Sequence, residues 1–550
     1  MKHAGALAAN AVVRGVSVPY NLVKSMTILP PERLRIAPPD IRTIDSTVAD
    51  QIAAGYFSFA GKTLQSYGDS PFLLTAPSPP WRRALAGFSW LRHLRGSHEA
   101  QAEARTLVGA FLAIKKFPHA DPAMEPVVVA RRMLSFFAQS PALLEDADAE
   151  FYDAFMASLA QSGRRLWRAL ATGQAQGADR LFCAIALAEF AVCADTGRKI
   201  APLVSRALSA ELDRQILSDG GHISRNPEVA VDLLLDLLPL RQVLAARGLQ
   251  TPGAMLRAID RMMPALRMLQ HADGSLALFN GMGVTAGDRV AGVLAYEDAR
   301  GAAPLKAPYS GYQRMEGGNA AVVVDAGGPP PLEFSGLAHA GFLSFEFSLG
   351  AERVVVNCGA PSGPNEEWRE LARGTAAHST LVVDDRSSAR IGTKDAGRRL
   401  AGRIVQGPQN VTVERHEGRD ATTLALSHDG YGRSFGLIHA RDLVLTSDGG
   451  TLSGRDRLLA APSGTRSSGE PEFAVRFHLH PRVQASERDG AVELVLANGE
   501  PLLFEAEEAW AQVEESVFFA GPAGARKSTQ IVLRGKAAPG AELHWSFRRL

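Results

Sequence analysis

The stretch DRLFCAIALAEFAVCAD, residues 179–195, decides how the first half of the chain is read. Leu181, Ile185, Ala188 and Val192 recur at the spacing that lines one face of a helix. Working outward, the same period continues upstream at 99–117, 125–139 and 147–171, and downstream at 204–217, 229–247 and 252–270. Gly- or Pro-containing breaks at 172–177 and 248–253 separate the runs. A succession of this kind predicts antiparallel helix pairs, in a bundle or an (α/α) toroid. Residues 1–96 are mixed, with aromatic pieces such as Tyr56-Phe57-Ser58-Phe59 and the stretch from Trp81 to Trp90.

Beyond Pro308 the period changes. Short alternating runs appear at 320–324, 343–347, 353–356 and 380–383, then at 410–414, 422–426, 441–446, 474–479, 492–496 and 530–534. Gly317-Gly318, Gly449-Gly450 and Asp489-Gly490 punctuate them as turns. Many short strands at such spacing predict an antiparallel β-sandwich. The expected organisation is a helical toroid over 1–305 and a sandwich over 306–550.

Composition narrows the function classes. The chain has 550 residues, 46% of them hydrophobic and 21% charged, a globular balance. Fifty-nine basic residues against fifty-eight acidic ones give +1, which argues against a nucleic-acid protein held by a broad basic field. No run approaches the roughly 18 apolar residues of a membrane span. Residues 1–20 lack a Leu-rich core followed by a cleavage site, so no signal peptide is expected. Cys183 and Cys193 sit ten apart on one predicted helix and cannot pair.

Four segments carry a family resemblance. Ala338-His339-Ala340-Gly341-Phe342-Leu343-Ser344-Phe345-Glu346-Phe347 is followed by Arg353-Val354-Val355-Val356-Asn357-Cys358-Gly359. Then comes Arg373-Gly374-Thr375-Ala376-Ala377-His378-Ser379-Thr380, and upstream lies Asp219-Gly220-Gly221-His222. In this order they resemble the heparinase II/III-like family over roughly residues 80–550. The resemblance implies an (α/α) toroid followed by an antiparallel sandwich. It also implies lysis of uronic-acid-containing glycans by β-elimination in a groove between the two. That reaction needs a group to neutralise the uronate, a base for the C5 proton and an acid for the leaving oxygen. The sequence departs from the family pattern at several of these places. Ala178-Asp179 stands at the usual Asn-His pair, Val229 at the usual tyrosine, and Leu337 and Gly341 at a usual His and Asp. Each missing acid or base costs about 10²–10⁴ in rate.

The candidate site follows from what remains. His222 is the candidate base or neutraliser, Arg225 the candidate carboxylate clamp and Asn226 a candidate substrate contact. A capping turn explains the same residues, with Asn226 as N-cap, Pro227 in first helical position and Glu228 in the first turn. Tyr309 or Tyr312 could replace the absent tyrosine, with Tyr312 the candidate acid, or pack at a strand edge. Trp81, Trp90 and Arg92, with Arg82, Arg83 and Arg95, suggest an aromatic and basic lining for an acidic glycan, or else helix packing with a solvated basic face. The resemblance further implies a structural zinc held by His339 and His378; Asn357 stands at the family's acid, and the next residue, Cys358, is the candidate thiolate ligand, the alternative being buried histidines and a core cysteine. His478 and His480 share one strand face, as metal ligands or sandwich surface.

Three readings of function remain: a lyase, a non-catalytic glycan-binding protein of the same fold, and an assembly factor for cell-envelope polysaccharide. The family suggests a periplasmic setting, whereas the absent signal is compatible with the cytoplasm. No feature specifies an oligomeric state.

Overall fold

The computed structural model describes residues 28–296, 302–363, 365–397, 399–462 and 469–550. The start of the chain, read above for a leader, lies outside the described residues. The chain forms two compact units. The first holds 28–215, 232–259 and 292–296, and the second holds 216–231, 260–291 and 302–550.

The seven expected helices occur as His98–Leu112, Pro126–Leu144, Ala149–Thr172, Asp179–Cys193, Ala201–Gln215, Pro227–Ala246 and Gly253–Met268. Local chemistry sets their ends. Ser97 accepts from the Ala100 amide at 3.2 Å and Asp148 from the Phe151 amide at 2.7 Å, each satisfying an otherwise unpaired donor. Gly173 closes the Ala149–Thr172 helix at φ +69°. The Asp179–Cys193 helix differs from its one-faced reading, because every residue from Leu181 to Cys193 is buried. It packs against Pro126–Leu144, Ala149–Thr172 and Ala201–Gln215. Ala184, Ala186, Ala188 and Ala191 admit neighbours on several sides, so the helix is interior rather than amphipathic. A hairpin of Tyr56–Phe59 with Lys62–Gln65, absent from the sequence reading, precedes the helices.

In the second unit most strands form two large antiparallel sheets, beside a small pair of Arg390–Ile391 with Ile404–Gln406. One runs in the order Val411–Glu417, Ala421–His428, Leu437–Thr446, Thr451–Ala460, Glu542–Arg549, Pro501–Ala506, Ala491–Val495 and Gln484–Arg488. The other runs Gln512–Phe518, Arg526–Lys536, Glu472–Leu479, Glu352–Val356, Phe345–Leu349, Ala320–Asp325, Tyr312–Gly317 and Lys306–Ala307, with Leu381–Val383 also paired to Glu472–Leu479. Their facing sides share one apolar core. Phe345 stacks on Trp545 at 5.6 Å between ring centres, and Phe477 meets Trp545 edge-on at 4.8 Å. Gly454 is required beside that indole, since a Cβ there would lie 2.2 Å from the ring.

The units are not divided by one cut at 305/306. Segments 216–231 and 260–291 cluster with the strands because polar contacts tie them there. Buried His271 places Nε2 3.0 Å from Glu346 Oε2, the Leu278 amide donates to Glu346 Oε1 at 3.1 Å, and Asn280 Nδ2 donates to Asp325 at 3.0 Å.

Candidate functional site

The Asp-Gly-Gly-His segment is a tight turn. The Leu217 amide donates to the Gly221 carbonyl at 2.9 Å. Gly220 sits at φ +84°, where a Cβ would lie 1.9 Å from the Arg261 carbonyl oxygen, so no other residue fits. Asp219 accepts from the Tyr309 and Ser310 amides, both at 2.7 Å, and fixes the turn to the start of the sandwich. His222 follows, with Nδ1 2.7 Å from Ser224 Oγ and its ring edge-on to Phe334. Burial pushes its pKa down to about 3, so it is a neutral interior imidazole.

Arg225 is enclosed by the protein. Nε donates to the Ser310 carbonyl at 2.7 Å, Nη1 to Gly328 at 2.8 Å and Nη2 to Gly311 at 3.1 Å, while Nη2 also pairs with Asp325. Its guanidinium carbon lies 4.9 Å from the centre of the Tyr312 ring. A Cβ on Gly327 would come within 2.7 Å of the guanidinium, so the cradle depends on that glycine. The Tyr312 hydroxyl donates to the Arg225 carbonyl and accepts from Asn280 Nδ2 at 3.0 Å. Burial pushes that hydroxyl's pKa up. The structure therefore brings Arg225 and Tyr312 together as an interior brace. It does not present Arg225 as a carboxylate clamp or Tyr312 as an exposed acid. Asn226 caps the helix that begins at Pro227, its Oδ1 accepting from the Glu228 amide at 2.8 Å.

Of the expected aromatic and basic lining, Trp81 and Trp90 are interior, whereas Arg83 and Arg95 are exposed. Phe88, in left-handed conformation, turns the chain between helix Pro79–Gly87 and the 3₁₀ segment Ser89–Arg95. Trp81 and Trp90 thereby pack on Phe59 of the hairpin at 5.8 and 6.4 Å. Trp81 Nε1 donates to the Phe57 carbonyl and Trp90 Nε1 to Leu85. Arg92 Nε donates to the Thr43 carbonyl at 3.0 Å. Arg82 pairs with Asp121 and Arg83 with Glu125, each through two nitrogens, so these two charges meet acids.

His339, Cys358 and His378 do not converge as a zinc ligand set. Among the described residues, ligand-bearing atoms of three such side chains come within 4.8 Å of one another only at exposed Glu507 and Glu508 with His544. His339 Nδ1 lies 3.1 Å from His378 Nε2, and His378 Nδ1 donates to the Gly374 carbonyl at 2.8 Å. The two rings satisfy each other instead. Cys358 Sγ lies 3.5 Å from His478 Nδ1, and burial pushes its thiol up to about 12, far from the thiolate a metal needs. His478 is interior too, with Nε2 3.0 Å from the Ala376 carbonyl. His480 has a different partner, its Nε2 lying 3.1 Å from Arg353 Nη2.

The motif around them is a clamp. Arg373 donates to the carbonyls of Ala338, Ser335 and Gly402, Thr375 Oγ1 to Ala340 and Thr380 Oγ1 to Phe342. All but the bond to Gly402 hold segment 335–342 in place.

Two features were not assigned a role in the sequence. In the first unit Asp179 opens its helix near Glu125 and Arg83. Burial and the Glu125 charge, partly offset by Arg83, push its carboxyl up to about 6. The place of Asp179 at the family's Asn-His position was the available signal. In the second unit a cavity of about 640 Å³ is lined by Lys306, Tyr309, Gln313, Arg415 and Pro329 to Pro331. Tyr309 is 67% exposed there.

Comparison with known proteins agrees with this architecture. The family model described as heparinase II/III-like, C-terminal, matches residues 299–546. The chain is 32% identical over 541 residues to FtsZ-localized protein C of Caulobacter vibrioides, covering 94% of this chain and 91% of that protein. Crystallised heparinase III aligns with a TM-score of 0.70 at 12% identity, over 96% of this chain and 88% of that one. Heparan sulfate lyase HepC from Pedobacter heparinus aligns at 0.58 and 17%, over 97% and 87%. At such identities these structures show a shared fold, helical toroid followed by β-sandwich. With the near-full-length relative and the matched sandwich, the chain belongs to the heparinase II/III-like family.

Proposed function

We propose that this protein is a binding member of the lyase fold that engages an acidic glycan without cleaving it. The observation that carries the reading is the interior direction of the candidate machinery. Arg225, Tyr312, His222 and the His339–His378 pair all direct polar atoms at the protein itself. The cavity beside Tyr309 supplies the contact surface, since an exposed ring covers a sugar face and Lys306 meets a carboxylate. In keeping with the name of the relative, this chain is further proposed to act where FtsZ assembles.

Affinity electrophoresis in gels containing heparan sulfate, alginate or an acidic bacterial exopolysaccharide tests the surface. Tyr309→Ala and Lys306→Ala are expected to weaken retention about tenfold with unchanged melting temperature. Retention equal to the parent protein's in both variants contradicts the assignment.

One observation favours a second reading, an active lyase. Asp179, with its carboxyl near 6, is the kind of group that carries protons at neutral pH. In that case Asp179→Asn abolishes cleavage; in the binding reading it leaves glycan retention unchanged.

A further inference from the structure

The first unit holds a second cavity, of about 730 Å³, formed by residues of the helices His98–Leu112, Pro126–Leu144 and Ala149–Thr172 and their flanking loops. Its lining includes Lys115, Arg132, Arg164, Arg165 and Arg168 and not one carboxylate. Arg132 lies at its base, 4% exposed, with its guanidinium carbon 4.7 Å from the centre of the Phe111 ring. Arg132 Nη1 donates only to carbonyls, Ala86 at 3.0 Å and Ala123 at 3.1 Å, and Arg165 Nε donates to the Met124 carbonyl at 3.1 Å.

No carboxylate among the described residues forms an ion pair with either arginine. The acid whose field reaches Arg132 is Asp121, and both of its oxygens are engaged by Arg82. Burial, and the neighbouring charge of Arg165, push Arg132 down to about 9. Two like charges in one lined cavity without an acid are costly unless an anion arrives with a ligand.

We propose that this cavity binds the dianionic phosphate group of a phosphomonoester, with Arg132 and Arg165 as the charge partners and the ligand's apolar body against Phe111, Phe117 and Phe136. A phosphomonoester carries close to two charges at neutral pH and accepts the forked donors of guanidinium, whereas a sulfate ester or carboxylate carries one. The aromatic wall favours a ligand with an apolar part over the bare anion. The site is independent of the glycan surface proposed above, which belongs to the other unit.

Isothermal titration of the full-length protein with phenyl phosphate, inorganic phosphate and phenyl sulfate, at matched ionic strength, tests it. Saturable binding of phenyl phosphate is expected, at least tenfold tighter than inorganic phosphate and phenyl sulfate. Arg165→Gln and, separately, exposed Lys115→Gln are expected to weaken it, the former at least tenfold, with the unliganded melting temperature kept. Absence of saturable binding overturns the proposal, as does equal affinity for the three anions or an undiminished affinity in Arg165→Gln. Glycan retention is expected to be unaffected in both variants, which separates this test from that of the other surface.

Discussion

Arg225 makes four contacts through three nitrogens, and its charge faces Asp325 in the interior. Removing it leaves a buried carboxylate without its partner. Arg225→Ala is therefore expected to cost about 3–5 kcal/mol in urea unfolding, the range for breaking a buried ion pair. Arg225→Lys is expected to recover little, because one ammonium cannot serve three carbonyls and a carboxylate in that geometry. A loss below about 1 kcal/mol would remove the brace assigned here. Asp179 has the opposite sign of contribution. Its folded pKa, about 6, lies above the ordinary 3.8, so the folded state binds its proton more tightly. Stability from this group is greatest below pH 4 and declines as pH rises through 6. Asp179→Asn is expected to remove that slope and stabilise the protein at pH 7 by about 1–3 kcal/mol, since each tenfold change in proton affinity is worth about 1.4 kcal/mol. Melting curves of both proteins between pH 4 and 7.5 measure the difference.

At the scale of elements, the helices were legible because apolar spacing and caps such as Ser97 and Asp148 are local signals. The all-round burial of Asp179–Cys193 was not, since alanine fits an apolar face and a crowded interior equally well. Membership of 216–231 and 260–291 in the strand unit was invisible for another reason. It depends on pairs such as His271 with Glu346 and Arg225 with Asp325, which lie 75 and 100 residues apart. The same distance hid the roles of the candidate site. Composition showed His222, Arg225 and Tyr312, but only the tertiary arrangement shows that their polar atoms point inward. The motif at 373–380 was recognisable as a family mark, while its work as a clamp on 335–342 required the carbonyls it reaches. Arg373→Ala removes two of those bonds, to Ser335 and Ala338. Amide exchange across 335–342 is expected to rise at least tenfold with the distant strand Thr451–Ala460 unchanged. Uniform exchange across both would contradict the clamp.

Over the whole molecule, buried histidines set the response to acid. His222 and His478 are pushed down to about 3 and His378 to about 4, in each case first by burial. Their ordinary value is 6.5, so below that pH the unfolded chain takes up protons that the folded one refuses. The stability these groups carry is present above about pH 6.5 and is lost as pH falls toward 3–4. All three belong to the second unit, which is expected to melt several degrees lower at pH 5 than at pH 7, despite the opposite slope from Asp179 in the first. A second-unit transition independent of pH over that interval would contradict the assignment of these rings as neutral. The family's fold is thus retained, while the interior of the second unit encloses His222, Arg225 and Tyr312, the groups read from the sequence as candidate machinery. The most direct test is the absorbance at 230–235 nm of the purified protein incubated with heparan sulfate, alginate and acidic bacterial exopolysaccharides, because β-elimination creates an unsaturated uronate that absorbs there. The binding reading predicts no gain in absorbance with any glycan that the protein retains on a gel. A steady, enzyme-dependent rise with one of them, lost in Asp179→Asn, would contradict it.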